Sequence, residues 1–386
     1  MANPRKLLRW LRAREGAMTR LLGELVRIES SSYDAAGVNR VVGLLAAEWK
    51  KRGARVERMQ PARAGRERGQ LLRCEVRPAG RGDAGQILVL GHTDTVYERG
   101  TLARTPFRVA RGRATGPGTL DMKAGLAIAL GAVDALHAAG LEPRRRVVFL
   151  WTPDEEIGSE AARRVIEREA RRSSAVLVLE PGTGPRGRLK TARKGVGEFC
   201  IEVTGRAAHA GVNPQDGVNA VHELALQIAR VARFAEPRHG ITVNADVIEG
   251  GTRTNVVAER ARALVDVRCS RAEDMQRVTA RFRALRPVLR GAKLRVTGGM
   301  DRPPMERRMA VGLFARAQAL AGEMGLRLEE SSTGGGSDGN FTAALGVPTL
   351  DGLGAAGGGA HTAGEFLFTR SLPERAALLA ALLHSL

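Results

Sequence analysis

Cysteine is scarce in this 386-residue chain: Cys74, Cys200 and Cys269 stand far apart and share no paired spacing. Three such residues exclude a disulfide-stapled scaffold and a cysteine-based zinc site. Aromatic residues make up only 4% of the chain, too few for a surface that stacks on nucleic-acid bases. Acidic side chains are outnumbered 41 to 61 by Lys and Arg, a formal charge of +20. That excess is spread from the first helix through Arg63–Arg73 and Arg163–Arg172 without a nucleic-acid motif. It reads as solvated surface with a general pull on anionic substrates, and no nucleic-acid partner is expected. No apolar run reaches bilayer length, so no membrane association is expected either. The opening MANPRKLLRWLRAREGAM has basic residues but no continuous apolar core and no small-residue cleavage site. It reads as an amphipathic helix, and a cytoplasmic location is the default expectation.

What is present is globular and large. Apolar residues at 43% and charged ones at 26% match an ordinary soluble domain, and the length favours two cores. Apolar spacing predicts a helix over Lys6–Arg27 and another over Val38–Arg52. Short strands are predicted at Ala54–Met59 and Leu71–Val76, separated by a Gly- and Arg-rich loop at Ala62–Gln70. The chain is organised around Ile87–Lys123. A buried strand, Ile87–Leu90, ends on Gly91 and delivers His92 and Asp94, which lie two apart on one face and can meet. An imidazole with a carboxylate beside it suits a metal ligand and its orienting partner. Asp121 offers a further oxygen, and Gly116 and Gly118 let the backbone approach a crowded polar centre. The plainer alternative is a strand end followed by a turn.

The same arrangement recurs twice. The strand Val147–Trp151 opens into TPDEEIGS, where Glu155 and Glu156 diverge, so one can hold a metal while the other faces a water. An exposed acidic turn before a helix near Ser159 is the alternative. A third strand, Ala175–Leu179, ends on Glu180. Apolar strands that alternate with helices and finish in His, Asp or Glu describe an open α/β sheet with its site beyond the carboxyl ends of the strands. From Gly187 the order becomes β-α-β-β-α-β through Thr297, a split βαβ unit inserted in the larger domain. The α/β pattern then resumes with a helix over Ala310–Met324, the loop STGGGSDGN, and GLGAAGGGAHTAGEF, where glycines flank His361.

The motifs GHTDTV, GPGTLDMKAG, TPDEEIGS, VLEPG, AAHAG, GGTRTNVV, GGGSDGN and GAHTAGEF, in this order over most of the chain, resemble one family. It is the co-catalytic zinc peptidases and amidases that include carboxypeptidase G, acetylornithine deacetylase and succinyl-diaminopimelate desuccinylase. The wording around Asp121 and Ser337 is most similar to the glutamate carboxypeptidase branch. The resemblance implies an α/β zinc-binding catalytic domain, residues 1–187 and 298–386, with an inserted α+β ferredoxin-like lid and dimerisation domain at 188–297. It also implies two Zn2+ ions per subunit, with Co2+ as an alternative. His92 and Glu180 would hold one ion, Glu156 and His361 the other, and Asp121 both, followed by a cis peptide bond. Asp94 would orient His92 and Glu155 would serve as general base. His209 and Asn255 would contact the substrate carbonyl oxygen, and Arg268 and the loop around Gly335 the substrate's free carboxylate. The implied activity is hydrolysis of an amide next to a C-terminal amino acid, glutamate among the candidates, with N-acyl amino-acid deacylation as the alternative. The implied partners are a small peptide or N-acyl amino-acid substrate and a second copy of the chain. Met122 departs from glutamate carboxypeptidases that carry a second acidic residue there, and Lys194 stands in an ARKG context of open placement.

Overall fold

A computed structural model describes residues 3–61, 67–79 and 85–386 of the chain. Residues 62–66 of the expected Gly- and Arg-rich loop lie outside the described residues. The chain divides into two compact units, one formed by Met1–Ala192, Arg307–Ser332 and Ser337–Leu386, the other by Arg193–Glu306 and Thr333–Gly336.

The first unit is built on a six-stranded sheet. Its spatial order is Arg55–Met59, Leu71–Val76, Arg146–Thr152, Gln86–His92, Ser173–Val178, Thr349–Leu350. The first two strands run antiparallel to their neighbours, and the last four are mutually parallel. The parallel strands are apolar on both faces because both are covered. Leu88, Leu90, Val148, Leu150 and Val176 pack with Ile166 and Ala170 of the helix Arg163–Arg171. Elsewhere Trp49 of the helix Ala35–Lys51 lies with its ring 4.3 Å from that of Phe149.

Two local expectations need correction, and one helix was not foreseen. The helix expected over Lys6–Arg27 is two, Pro4–Arg12 and Glu15–Val26, the first started by Asn3, whose side chain accepts the amides of Arg5 and Lys6. The helix expected near Ser159 begins at Arg163, because Glu155–Ile157 first forms a single 3-10 turn. The chain also ends in an unexpected helix, Ser371–Ser385, buried on nearly every side. A helix apolar all round shows no stripe for periodicity to find.

The second unit has the order β-α-β-β-α-β: Gly195–Thr204, Ala220–Val231, Thr242–Gly250, Arg260–Cys269, Ala272–Arg283, Lys293–Arg302. Its strands form one antiparallel sheet in the order second, third, first, fourth, the ferredoxin-like arrangement. Phe199 of the first strand stacks on Phe282 of the second helix with centroids 4.0 Å apart, at the centre of this unit's core. The last strand runs five residues past Thr297, and Arg193 exchanges backbone hydrogen bonds with Met305. This unit takes in Arg193–Glu306 together with Thr333–Gly336.

Candidate metal centre

The aligned carboxyl ends of three parallel strands bring the site together. In register His92 lies beside Thr152, and Leu90 beside Val178, so the segments after these strands emerge at one edge of the sheet. His92 ends its strand, Glu156 follows in the 3-10 turn, and Glu180 comes two residues after Val178. Asp121 sits in the kinked segment Thr119–Lys123, and the bond from Asp121 to Met122 is cis. His361 comes from the turn between Gly357–Gly358 and Phe366–Phe368, with its backbone at φ 64, a left-handed conformation uncommon for a residue other than glycine.

These side chains converge as two groups of potential ligands, His92, Asp121 and Glu180, and Asp121, Glu156 and His361. His92 Nε2 is 3.5 Å from Asp121 Oδ1 and 3.3 Å from Glu180 Oε1. His361 Nε2 is 3.2 Å from Asp121 Oδ2 and 3.2 Å from Glu156 Oε2. Asp121 thus turns one oxygen to each group. The His92 side chain is 1% exposed and that of His361 51%, so one group is buried and the other opens outward.

The set fits a pair of cations. His92 Nε2, Asp121 Oδ1 and Glu156 Oε1 are buried with no hydrogen-bond partner among the described residues, a costly state unless something else satisfies them. Burial opposes charge on His92, yet the carboxylates of Asp121, Asp94 and Glu180 hold its pKa well above the ordinary value. Contacts with Asp121 and Glu156 likewise raise that of His361 to about 10. Burial raises Glu156. Three carboxylates around two imidazoles demand positive charge, and divalent ions supply it by displacing protons. Oxygen and imidazole donors without sulfur suit zinc and its divalent neighbours.

The supporting residues differ in part from expectation. The nearest partner of His92 Nδ1 is the backbone carbonyl of Asp94 at 3.0 Å, and the Asp94 carboxylate is 3.4 Å away. That carboxylate accepts the amides of Glu155 and Glu156, both at 3.2 Å, and the hydroxyl of Ser32 at 2.7 Å. Asp94 therefore anchors the glutamate turn as well as the histidine. Glu155 belongs to neither ligand group. Met122 is fully buried, and its sulfur accepts the His92 amide at 3.0 Å. A Cβ on Gly91 would meet that sulfur at 2.6 Å, so the glycine is needed for the close approach. Gly118 is likewise required, by φ 69 and by Thr95 beside it. Sequence reading missed Glu365, Tyr97 and Ser32, although Glu365 lies inside the GAHTAGEF motif and Tyr97 directly follows GHTDTV.

The other expected contacts lie in the second unit. His209 Nδ1 accepts the amides of Gly211 and Val212, both at 3.2 Å. This assigns the neutral ring's proton to Nε2, leaving that atom a donor. Asn255 is exposed, and its backbone carbonyl accepts the Ala210 amide. Arg268 pairs with Asp266 at 2.8 Å, and its Nη1 donates to Gly334 O at 3.3 Å. Arg193 donates to the carbonyls of Gly335 and Gly336. Lys194 is half-buried, and its amide donates to Thr333 O.

Residues 88–385 match the model of peptidase family M20/M25/M40. The chain is 31% identical to carboxypeptidase G2 of Pseudomonas sp. (strain RS-16) over 378 residues, 96% of this chain and 89% of that protein. It is 30% identical to acetylornithine deacetylase of Salmonella arizonae over 242 residues, 59% of this chain and 60% of that protein. The structure resembles that of aminopeptidase PepT from Bacillus cereus, with a TM-score of 0.78, 24% identity, and 96% and 98% of the two chains covered. With a family match that spans both units and the candidate ligands gathered at one sheet edge, the chain belongs to peptidase family M20/M25/M40 and is a hydrolase of amide bonds.

Proposed function

We propose that the chain is a zinc-dependent carboxypeptidase of the carboxypeptidase G kind, hydrolysing the amide that joins an acyl group to a C-terminal amino acid with a free carboxylate, glutamate among the candidates. The observation that carries this reading is the pair of ligand groups sharing Asp121 in a chain 31% identical to carboxypeptidase G2 over 96% of its length. N-acyl amino-acid deacylation is the second reading, favoured by the likeness to acetylornithine deacetylase.

His92 and Glu180 would hold one zinc, Glu156 and His361 the other, and Asp121 both. Bound there, the ions would polarise the amide carbonyl and lower the pKa of the attacking water. Glu155, held by Asp94 through its amide, would take the water's proton and pass it to the leaving nitrogen. His209, with its proton at Nε2, would donate to the developing oxyanion, beside Asn255. Arg268 and the loop around Gly335 would receive the substrate carboxylate. A homodimer through the second unit is part of this proposal: its strand Thr242–Gly250 is a sheet edge that leaves Val247 and Ile248 42% and 59% exposed. A cytoplasmic location agrees with three free cysteines. Among the described residues no helix is long and apolar enough to cross a membrane.

A panel of N-acyl amino acids and dipeptides, assayed by amine release with added zinc or cobalt, tests the function. Cleavage next to C-terminal glutamate that stops on chelation is expected. Turnover confined to N-acetyl or N-succinyl substrates selects the deacylase, and no turnover with any member rejects both.

A further inference from the structure

Around the ligands the chain is irregular in three places: the stretch Thr93–Tyr97 after His92, the Gly116–Lys123 turn that carries Asp121, and the turn that carries His361. A ladder between Phe366–Phe368 and Arg113–Thr115 brings the His361 turn beside the Asp121 segment, but it stops at Thr115 and Phe366 and does not reach Asp121 itself. One side chain links all three. Glu365 is 1% exposed, and its carboxylate receives four donors. Oε1 accepts the amides of Leu120 at 2.6 Å and Asp121 at 3.0 Å. Oε2 accepts the amide of Gly118 at 3.1 Å and the hydroxyl of Tyr97 at 2.5 Å. The Tyr97 oxygen also lies 2.9 Å from the carbonyl of Thr362, the residue after His361. Within the turn the Glu365 amide donates to the same carbonyl at 3.2 Å.

Four donors fill the acceptor sites of one carboxylate, so Glu365 has no lone pair left for an ion. Its effect on the centre runs through the backbone instead. Asp121 presents a separate oxygen to each ligand group, and a small rotation of its main chain would withdraw one of them. Its own amide, and those of the residues one and three before it, are fixed by Glu365. His361 is four residues from Glu365 in the same turn, so the clamp sets the Asp121–His361 spacing that the outward-facing group requires.

We infer that Glu365, assisted by Tyr97, is a positioning residue of the centre: its carboxylate locks the main chain of the bridging Asp121 to the turn bearing His361 and so sets the affinity for the ion shared by Asp121, Glu156 and His361. This rests on the dinuclear reading given above. Glutamine at 365 has one acceptor oxygen and sets its NH2 against N–H or O–H donors on the other side, so Glu365→Gln keeps the volume and breaks half of the clamp.

The test uses the full-length protein, stripped by chelation and titrated with zinc alone against a chromophoric competitor, with melting of the metal-free form recorded in parallel. Wild type is expected to take two zinc ions per chain. Glu365→Gln is expected to bind the weaker ion about 10- to 100-fold less tightly, with activity recovering as free zinc is raised, and Tyr97→Phe to show a smaller loss in the same direction. A purely structural role would lower melting of the metal-free protein and leave zinc affinity of the folded fraction untouched, and that result overturns the inference. Should Glu365→Gln not fold, Tyr97→Phe decides, since wild-type affinity for both ions in that variant also overturns it. A wild-type protein that binds fewer than two zinc ions refutes the dinuclear reading itself and takes this inference with it.

Discussion

Asp94 Oδ2 accepts the backbone amide of Glu156 at 3.2 Å, which ties a residue at the end of one parallel strand to a candidate ligand after its neighbour. Its other oxygen accepts the amide of Glu155. One buried carboxylate thereby faces three parts of the site: His92, the candidate base and the candidate ligand. Asp94→Asn can satisfy only one of the two amides and turns its NH2 toward the other. Zinc affinity is expected to fall for both ions, by about 10- to 100-fold. A role limited to orienting His92 would weaken only the ion on that side, and stepwise zinc titration distinguishes the two.

The adjacent glutamates are expected to separate cleanly. Glu155→Gln should retain both zinc ions while kcat falls by ~10² to ~10⁴. Glu156→Gln removes a negative charge from a ligand group, so metal content should drop toward one ion per chain and activity should partly return with excess zinc. Metal analysis beside steady-state kinetics checks the division: equal zinc loss in both variants contradicts it, and wild-type rates in both contradict the site.

Arg268 lies between Asp266 and the carbonyl of Gly334, so its planar guanidinium shapes the Thr333–Gly336 loop. Arg268→Lys keeps the charge and loses the fork. The kcat/KM for substrates with a free carboxylate should fall by about tenfold, the equivalent of about 1.4 kcal/mol. Methyl-ester substrates serve as the control: equal losses for acid and ester would assign the effect to loop structure alone.

Glu223 predicts an acid limb in the stability of the second unit. Its side chain is fully buried and accepts the amides of Val288 and Leu289 and the side-chain amide of Gln227. Burial opposes its charge, but these donors outweigh it and lower the pKa. Its stabilisation is thus complete above the unfolded value, about 4.3, and is lost as pH falls through the depressed folded value. Glu223→Gln should cost about 1.5–3 kcal/mol near neutral pH and progressively less under acid. Amide exchange at Val288 and Leu289, followed against pH in both proteins, reads the difference. A gap that stays constant to low pH would show that hydrogen-bond geometry, not ionisation, carries the effect.

Much of the candidate site was legible in the chain because each donor closes an apolar strand or sits among glycines: His92, Glu156, Glu180 and His361 all stand where a buried run gives way to a polar turn. The β-α-β-β-α-β order was equally legible, since alternation at period two and then at helical spacing survives in half-buried elements. The end of the last strand was not, because Lys293–Arg302 continues through Gly298 and Gly299, which carry no side chain to mark the alternation.

Local sequence by itself determined most of the long strands and helices and which residue types end them, but not the split between Pro4–Arg12 and Glu15–Val26 or the helix Ser371–Ser385. Tertiary structure alone decided how those ends meet. The in-register pairing of three parallel strands set His92 beside the turn of Glu156 and near Glu180, and directed the Asp94 carboxylate to two amides some sixty residues away. Glu365 shows the same limit most clearly. In the chain it is one more acidic residue near a histidine, and only folding brings the amides of Gly118, Leu120 and Asp121 to its carboxylate, about 245 positions earlier. Hydrogen bonds between segments so distant leave no periodic trace, because each is set by the packing of whole elements rather than by the residues on either side.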